Sequence, residues 1–233
     1  PSIADSGDVV LSGKDLILRL ANTESKRHSA SLLINKMYSW RGYSSSHQIS
    51  LKPNEITLTA FIGSVLIGTV TISIDSPAGL LADDMFKDEI DMCRGKDRRL
   101  CELTKLAFEQ THNSAFALAS MFHVCFIYAR RVHLCTDSFI EINPRHRRYY
   151  ERMLGFQQVG PLKRSARVNA PAYLLRLGLD HMEAEIRKHG GTSEYPGAMK
   201  SLYPHFFTPR EEAEIAQRLI ALLNVSWYAG DSK

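Results

Sequence analysis

Apolar positions from Leu16 to Leu20 alternate around Arg19 as in a short strand, and from Glu24 to Trp40 the spacing turns helical through Ala30, Leu33, Ile34 and Met37. Glu55 to Ala60 and Val65 to Ile74 are rich in Ile, Val and Thr on either side of Phe61-Ile62-Gly63-Ser64, which predicts an antiparallel hairpin closed off by Pro77-Ala78-Gly79. The acidic stretch with Asp83, Asp84, Asp88, Glu89 and Asp91 predicts a helix or lid, and a basic loop with Arg94, Lys96, Arg98 and Arg99 follows it. Cys101 to Phe108 reads as a buried strand, Ala115 to Arg131 as a long apolar helix and Ser138 to Ile142 as another strand. Asn143 is a good cap for the short helix that follows, Pro144 suits its first position, and Gly155 can take the left-handed conformation that ends it. Two closing strands are expected near Phe156 to Val159 and Ala172 to Gly178.

Beyond Leu179 the pattern is helical alone. His181 to His189 forms one helix, a passage with Tyr203, Pro204, Phe206 and Phe207 follows, and Thr208-Pro209 caps another helix from Arg210 to Leu223. This order predicts an α/β fold, a mixed sheet covered by helices in a three-layer sandwich, over residues 1–180, with a C-terminal helical extension over 181–233. A chain of 233 residues is long enough to bury a sizeable core. No internal repeat interrupts it.

Net charge is only +4, so partner inference has to be local. Cys93, Cys101, Cys125 and Cys135 have neither Cys-x-x-Cys spacing nor a compact framework, and the simplest compartment is a reducing cytoplasm. Ser114 to Ala129 falls short of the roughly 20 residues a membrane span needs and contains His123, which makes it a core helix. His112, His123 and His133 show no metal-ligand spacing with Cys or carboxylates, so no metal is expected.

Chemistry concentrates at two places. Glu102 is a carboxylate in an otherwise apolar strand, where it must be exposed, paired or functional. Strict alternation puts Glu102, Thr104 and Leu106 on one face and Leu103, Lys105 and Ala107 on the other, so Glu102 and Lys105 pair only across a bulge. The second place is the capped helix with Pro144-Arg145-His146, Tyr149, Tyr150 and Leu154-Gly155-Phe156. Together the two motifs resemble the GNAT N-acyltransferase superfamily. The Pro-Arg-His, Tyr and Leu-Gly-Phe series is similar to that of the FeeM-like N-acyl amino acid synthases, and Glu102 to Lys105 resembles the Glu-x-x-Arg strand of acyl-homoserine-lactone synthases, with lysine in place of the arginine.

The resemblance implies a central sheet splayed apart at a bulge, where free backbone groups hold a pantetheine arm and polarise its thioester. It implies Glu102 as the base that frees an amine and Tyr150 as the proton donor to the departing thiolate. Thr104, Lys105 and Leu106 would contact substrate there, and Leu106, Phe108, Phe122 and Phe126 would line a tunnel for a fatty acyl tail, though the same residues fill an ordinary core. Acetyl-CoA-dependent relatives place a glycine-rich loop before the long helix to cradle the pyrophosphate. This chain has Glu109-Gln110-Thr111-His112-Asn113-Ser114 and no glycine. A donor without a nucleotide pyrophosphate does not need that loop, and an acyl carrier protein presents acyl-phosphopantetheine as such a donor, with no permanently bound cofactor.

Carrier proteins are acidic, so Arg94, Lys96, Arg98, Arg99, Arg130, Arg131, Arg145, His146, Arg147, Arg148 and Arg152 form a candidate docking patch if the fold gathers their segments. Nucleic acid is disfavoured, because Asp97, Asp137, Glu141 and Glu151 dilute the charge. The reading is transfer of a medium or long acyl chain from acyl carrier protein to the α-amine of an amino acid, with tyrosine a possible acceptor by resemblance. The alternatives are a CoA-dependent N-acetyltransferase and a catalytically silent lipid or carrier-binding module.

Overall fold

The structure is a computed structural model and describes residues 9–13, 15–40, 47–49, 52–95, 97–109, 114–167, 169–192 and 201–230. Its strands are β1 (Val9–Gly13), β2 (Leu16–Leu20), β3 (Glu55–Ile62), β4 (Val65–Ile74), β5 (Leu100–Phe108), β6 (Asp137–Ile142), β7 (Gln157–Gln158), β8 (Lys163–Ser165) and β9 (Ala170–Gly178). They form one mixed sheet in the order β1-β2-β3-β4-β5-β6-β9-β7, with β8 also on β9. The β5–β6 pair is parallel, and the other pairs are antiparallel. The expected strands are all present. Two short ones, β1 and β8, join them, and each owes its place to the longer neighbour it pairs with.

Helices cover both faces. The α1 helix (Glu24–Trp40) buries Ala30, Leu33, Ile34 and Met37, the four positions its periodicity selects, and packs with Ala107 of β5. The α2 helix (Asp83–Arg94) buries Phe86 and Ile90 against Leu100, Phe139 and Leu174. On the opposite face, α3 (Ser114–Phe126) widens into a π-helical turn at Ile127–Val132, where the sequence pattern alone reads as continuous helix. By length and composition Ala115–Val132 could cross a membrane, but 67% of it is buried inside the fold.

The α4 helix (Arg147–Leu154) begins with a 3₁₀ turn at Pro144–His146, where the Asn143 side chain accepts from the Arg145 amide at 3.2 Å. It ends at Gly155, with φ of 81° and its N–H bonded to Glu151 O at 3.1 Å. A β-carbon at Gly155 would lie 2.7 Å from His181 Nε2, the tip of an exposed side chain that can swing aside, so it is the backbone conformation that calls for glycine.

The C-terminal helices α5 (Leu179–His189) and α6 (Pro209–Gly230) share the core of the sheet rather than a separate one. Met182, Ile186, Tyr203, Phe206, Phe207, Ile215 and Leu219 belong to the same buried cluster as Phe122, Phe126 and Leu154. His123 of α3 makes the joint: its Nδ1 accepts from the Phe207 amide at 2.9 Å, its Nε2 meets Glu212 at 3.1 Å, and its ring stacks on Phe206 and Phe207. Because Nδ1 accepts, the ring proton sits on Nε2, and burial lowers the pKa of the ring despite the nearby Glu212 carboxylate.

Candidate active site

The strand β5 carries the features that make a site. It pairs with β6 only from Leu100↔Asp137 to Leu103↔Ile140, and then runs on to Phe108 without that partner. The two parallel strands therefore part after Leu103. On the other edge, the register against β4 shifts between Thr69 and Thr71, which leaves Lys105 and Leu106 opposite Val70. Lys105 takes up the extra residue with φ of 51°, in the left-handed region, and its carbonyl accepts from the Thr69 hydroxyl at 2.9 Å. The expected splay and bulge thus fall within five residues of each other.

The bulge reverses the simple alternation. Directly paired residues share a face, so Ser73↔Glu102, Thr71↔Thr104 and Thr69↔Ala107 place Glu102, Thr104 and Ala107 together. Ala107 accordingly packs under α1, whereas Leu106 and Phe108 pack into the α3-side core. The strict pattern had Leu106 and Ala107 the other way round.

Glu102 is fully buried on the α2 side. Its Oε2 accepts from the Ala82 amide at the start of α2 at 3.2 Å, while Oε1 has no hydrogen-bond partner among the described residues. Burial pushes its pKa up to about 8; the nearby Glu141 carboxylate adds to the rise, and the Ala82 amide and the Arg167 cation oppose it. Such a group is mostly protonated at neutral pH, and once ionised it is a stronger base than an ordinary carboxylate.

Three residues around it were not singled out from the sequence. Arg167, between β8 and β9, donates to Leu81 O at 2.8 Å and to Asp84 at 3.1 Å, and pairs with Glu141 of β6 at 2.5 Å. It thereby fixes the Leu81-Ala82 turn whose amide reaches Glu102. Burial raises the pKa of Glu141, and Arg167 opposes the rise. Glu141 carries the same sequence signal as Glu102, a carboxylate in an apolar strand; Arg167 carries none, since only the fold of β8 and β9 brings it there. His47 lies within reach of the charges of Lys105 and Arg167, which together with burial lower its pKa.

The opposite face of β5 is apolar. Leu103, Phe122, Phe126, Leu154 and Phe156 line a cavity of about 10 Å³ near the fork of the strands, just enough for one water. Leu106 and Phe108 pack into the same α3-side core as Phe122 and Phe126 but do not line this cavity, and Phe108 lies over Gly68 with Met121 beside it. Tyr150 is half-buried on α4, with ring centroids 6.4 Å from Phe122 and 6.1 Å from Phe156. Tyr149 is more exposed, at 41%. The glycine-free loop before α3 lies largely outside the described residues, at 110–113.

The fold does not gather the basic residues into one patch. Arg98, Arg99, Arg130 and Arg131 stand where β5 and β6 begin, and Arg145 to Arg152 follow the end of β6, so the length of a strand separates them. The first group is largely neutralised: Arg98 pairs with Asp137 at 2.9 Å, Arg130 with Glu183 at 3.2 Å and with Asp180, and Arg131 with Glu212 at 2.7 Å and Glu183 at 2.9 Å. Arg94 is held by Asp75, Asp83 and Asp91. Lys96 lies outside the described residues. Near the splay, Arg147 pairs with Glu151 at 3.1 Å, the Arg145 Nε donates to His146 at 3.1 Å, and Arg145, Arg148 and Arg152 are exposed.

Comparison with known proteins places this geometry. The family model of the N-acyl amino acid synthase FeeM matches residues 29–178. The solved structure of FeeM, an N-acyl amino acid synthase from uncultured soil microbes, superimposes with a TM-score of 0.64 at 29% identity, covering 72% of this chain and 94% of that one. An acyl-CoA N-acyltransferase from Pseudomonas aeruginosa (TM-score 0.49, 12% identity, 69% and 97% covered) and the AHL synthase LasI (0.46, 14%, 72% and 91%) are more distant neighbours. No curated protein matches the chain. The fold is shared with the N-acyl amino acid synthase FeeM, and the chain belongs to the FeeM N-acyl amino acid synthase family.

Proposed function

We propose that this protein moves a medium- or long-chain fatty acyl group from acyl carrier protein to the α-amine of an amino acid, with tyrosine a fitting acceptor. The observation that carries the reading is Glu102: a buried carboxyl with one oxygen unpartnered among the described residues, on a strand that parts from its parallel neighbour one residue further on. In the proposed reaction Glu102, having first released its proton to solvent, takes a proton from the α-ammonium of the acceptor, directly or through water. The amine nitrogen attacks the thioester carbon, the C–S bond breaks, and the thiolate takes a proton from the Tyr150 hydroxyl. The nitrogen then gives up its second proton, which restores Tyr150, so the products are an amide, a thiol and one released proton. Unpaired backbone groups of β5 beyond Leu103 would hold the pantetheine arm.

The acyl tail would enter the apolar side, where Leu103, Phe122 and Phe126 have to move apart to enlarge the small cavity between them. Carrier docking would fall to the α4 end, where Arg145, Arg148 and Arg152 are exposed beside the splay. The protein would be incubated with acyl carrier proteins of several chain lengths, the matching acyl-CoAs and a pool of amino acids, and the products identified by mass spectrometry. N-acyl amino acids from carrier donors support the reading. Acetyl transfer from CoA, or tight carrier binding without product, overturns it.

A further inference from the structure

On the face that carries Glu102, cations are matched by acids on both sides of the strand. Lys52 pairs with Glu55 at 3.0 Å, and Arg167 is shared between Asp84 and Glu141. Lys105 differs from these: among the described residues its half-buried ammonium makes no hydrogen bond or ion pair. An ammonium withdrawn from water without a counter-ion is costly, and the cost recurs wherever no ligand supplies the anion. Its backbone is constrained as well. Lysine rarely adopts φ of 51°, and the bulge together with the Thr69 hydroxyl holds it there.

The neighbours of that ammonium locate it. Burial depresses its pKa; the charge of Glu55 opposes this, Lys52 adds to it and Glu102 opposes it. Glu55, Ser73 and Glu102 are consecutive cross-strand partners, so they form one row on the α2 face, and Lys105 stands over that row. His47 and Arg167 approach the same ground from the α1 end and the β8–β9 turn. A proton acceptor and an unpaired cation are thus set three residues apart on one strand.

We propose that Lys105 binds the α-carboxylate of the amino-acid acceptor and so selects amino acids over simple amines. The amine and carboxylate of an α-amino acid sit on one carbon, which calls for a base and a cation on the same stretch of strand, and Glu102 and Lys105 are three residues apart on β5, close enough for the charge of one to act on the other. The inference rests on the acylation of amino acids proposed above. Lys105 acts on binding rather than on the chemical step, so its loss appears in KM more than in kcat.

The test compares wild type, Lys105→Met and Lys105→Arg on four acceptors: the preferred amino acid, its amide, its methyl ester and the amine lacking the carboxylate. Binding of the amino acid to each protein is measured in parallel by calorimetry. Wild type should favour the free carboxylate by about 10- to 100-fold in kcat/KM, and Lys105→Met should lose that preference, with the loss on the amino acid appearing in KM more than in kcat. Lys105→Arg should keep most of it, which separates a charge effect from damage to the bulge. A Lys105→Met enzyme that still discriminates, or a wild type that acylates acid and amide equally, overturns this inference alone. A wild type that neither binds nor acylates amino acids overturns both this inference and the proposed function.

Discussion

The two faces of β5 differ as sharply as any two regions of the molecule. On the α2 side, Glu102 meets one amide, a second carboxylate and an arginine clamp. On the α3 side, one residue away in either direction, Cys101 and Leu103 look into a cavity lined by phenylalanine, leucine and cysteine. A strand gives adjacent residues opposite environments, and in the proposed reaction that property would keep the chemistry of the amine apart from the acyl chain. The bulge at Lys105 and the parting from β6 both fall beyond Leu103, where the two halves of the reaction would have to meet.

Breaking the polar face should have the largest effect. Glu102→Gln leaves an acceptor for the Ala82 amide but cannot take a proton, so kcat/KM should fall about 10²- to 10⁴-fold, measured as initial rates of N-acylation. On the apolar face, Phe122→Ala removes a buried ring beside the cavity. It should cost about 3–5 kcal/mol in chemical denaturation and move the donor preference toward longer acyl chains in competition assays.

Glu102 also makes a stability prediction of definite sign. Its folded-state pKa, about 8, lies above the ordinary carboxylate value of 4.5, so the native state holds the proton more tightly than the unfolded chain. Stability attached to this group is therefore complete below pH 4.5 and is lost as pH rises toward 8. Glu102→Gln should accordingly gain a few kcal/mol relative to wild type at pH 9 and little at pH 5, seen as a Tm difference that widens with pH.

Smaller effects sharpen the account of the surroundings. Replacing Arg145, Arg148 and Arg152 together by glutamate should raise KM for the acyl carrier about tenfold and flatten its salt dependence. The same change at Arg98, Arg99, Arg130 and Arg131 should affect stability before docking, because three of those four are already ion-paired. Arg167→Ala should shift the pH midpoint of activity upward by about one unit, and Glu141→Gln should shift it downward, since the two charges act on Glu102 in opposite senses.

Much of this was legible in the sequence because it depends on local pattern. The α1 stripe, the β3–β4 hairpin and the Asn143 to Gly155 helix follow from spacing and capping chemistry. Glu102 was visible as a carboxylate in an apolar strand. What was not legible depends on chain segments meeting. Arg167 reaches Leu81 across 86 positions, and His123 reaches Phe207 across 84. The basic residues looked like one group because the sequence does not say which end of a strand a neighbouring loop occupies. The strands β1 and β8 are short and read as strands only beside their partners.

The most direct test of Glu102 as the base is the pH dependence of kcat/KM, compared between wild type and Glu102→Gln on the same donor and acceptor. The account predicts a wild-type rate that rises with a midpoint near 8 and a variant that has lost both that midpoint and at least about 10² in rate. A variant within a few-fold of wild type that keeps the same midpoint would contradict it.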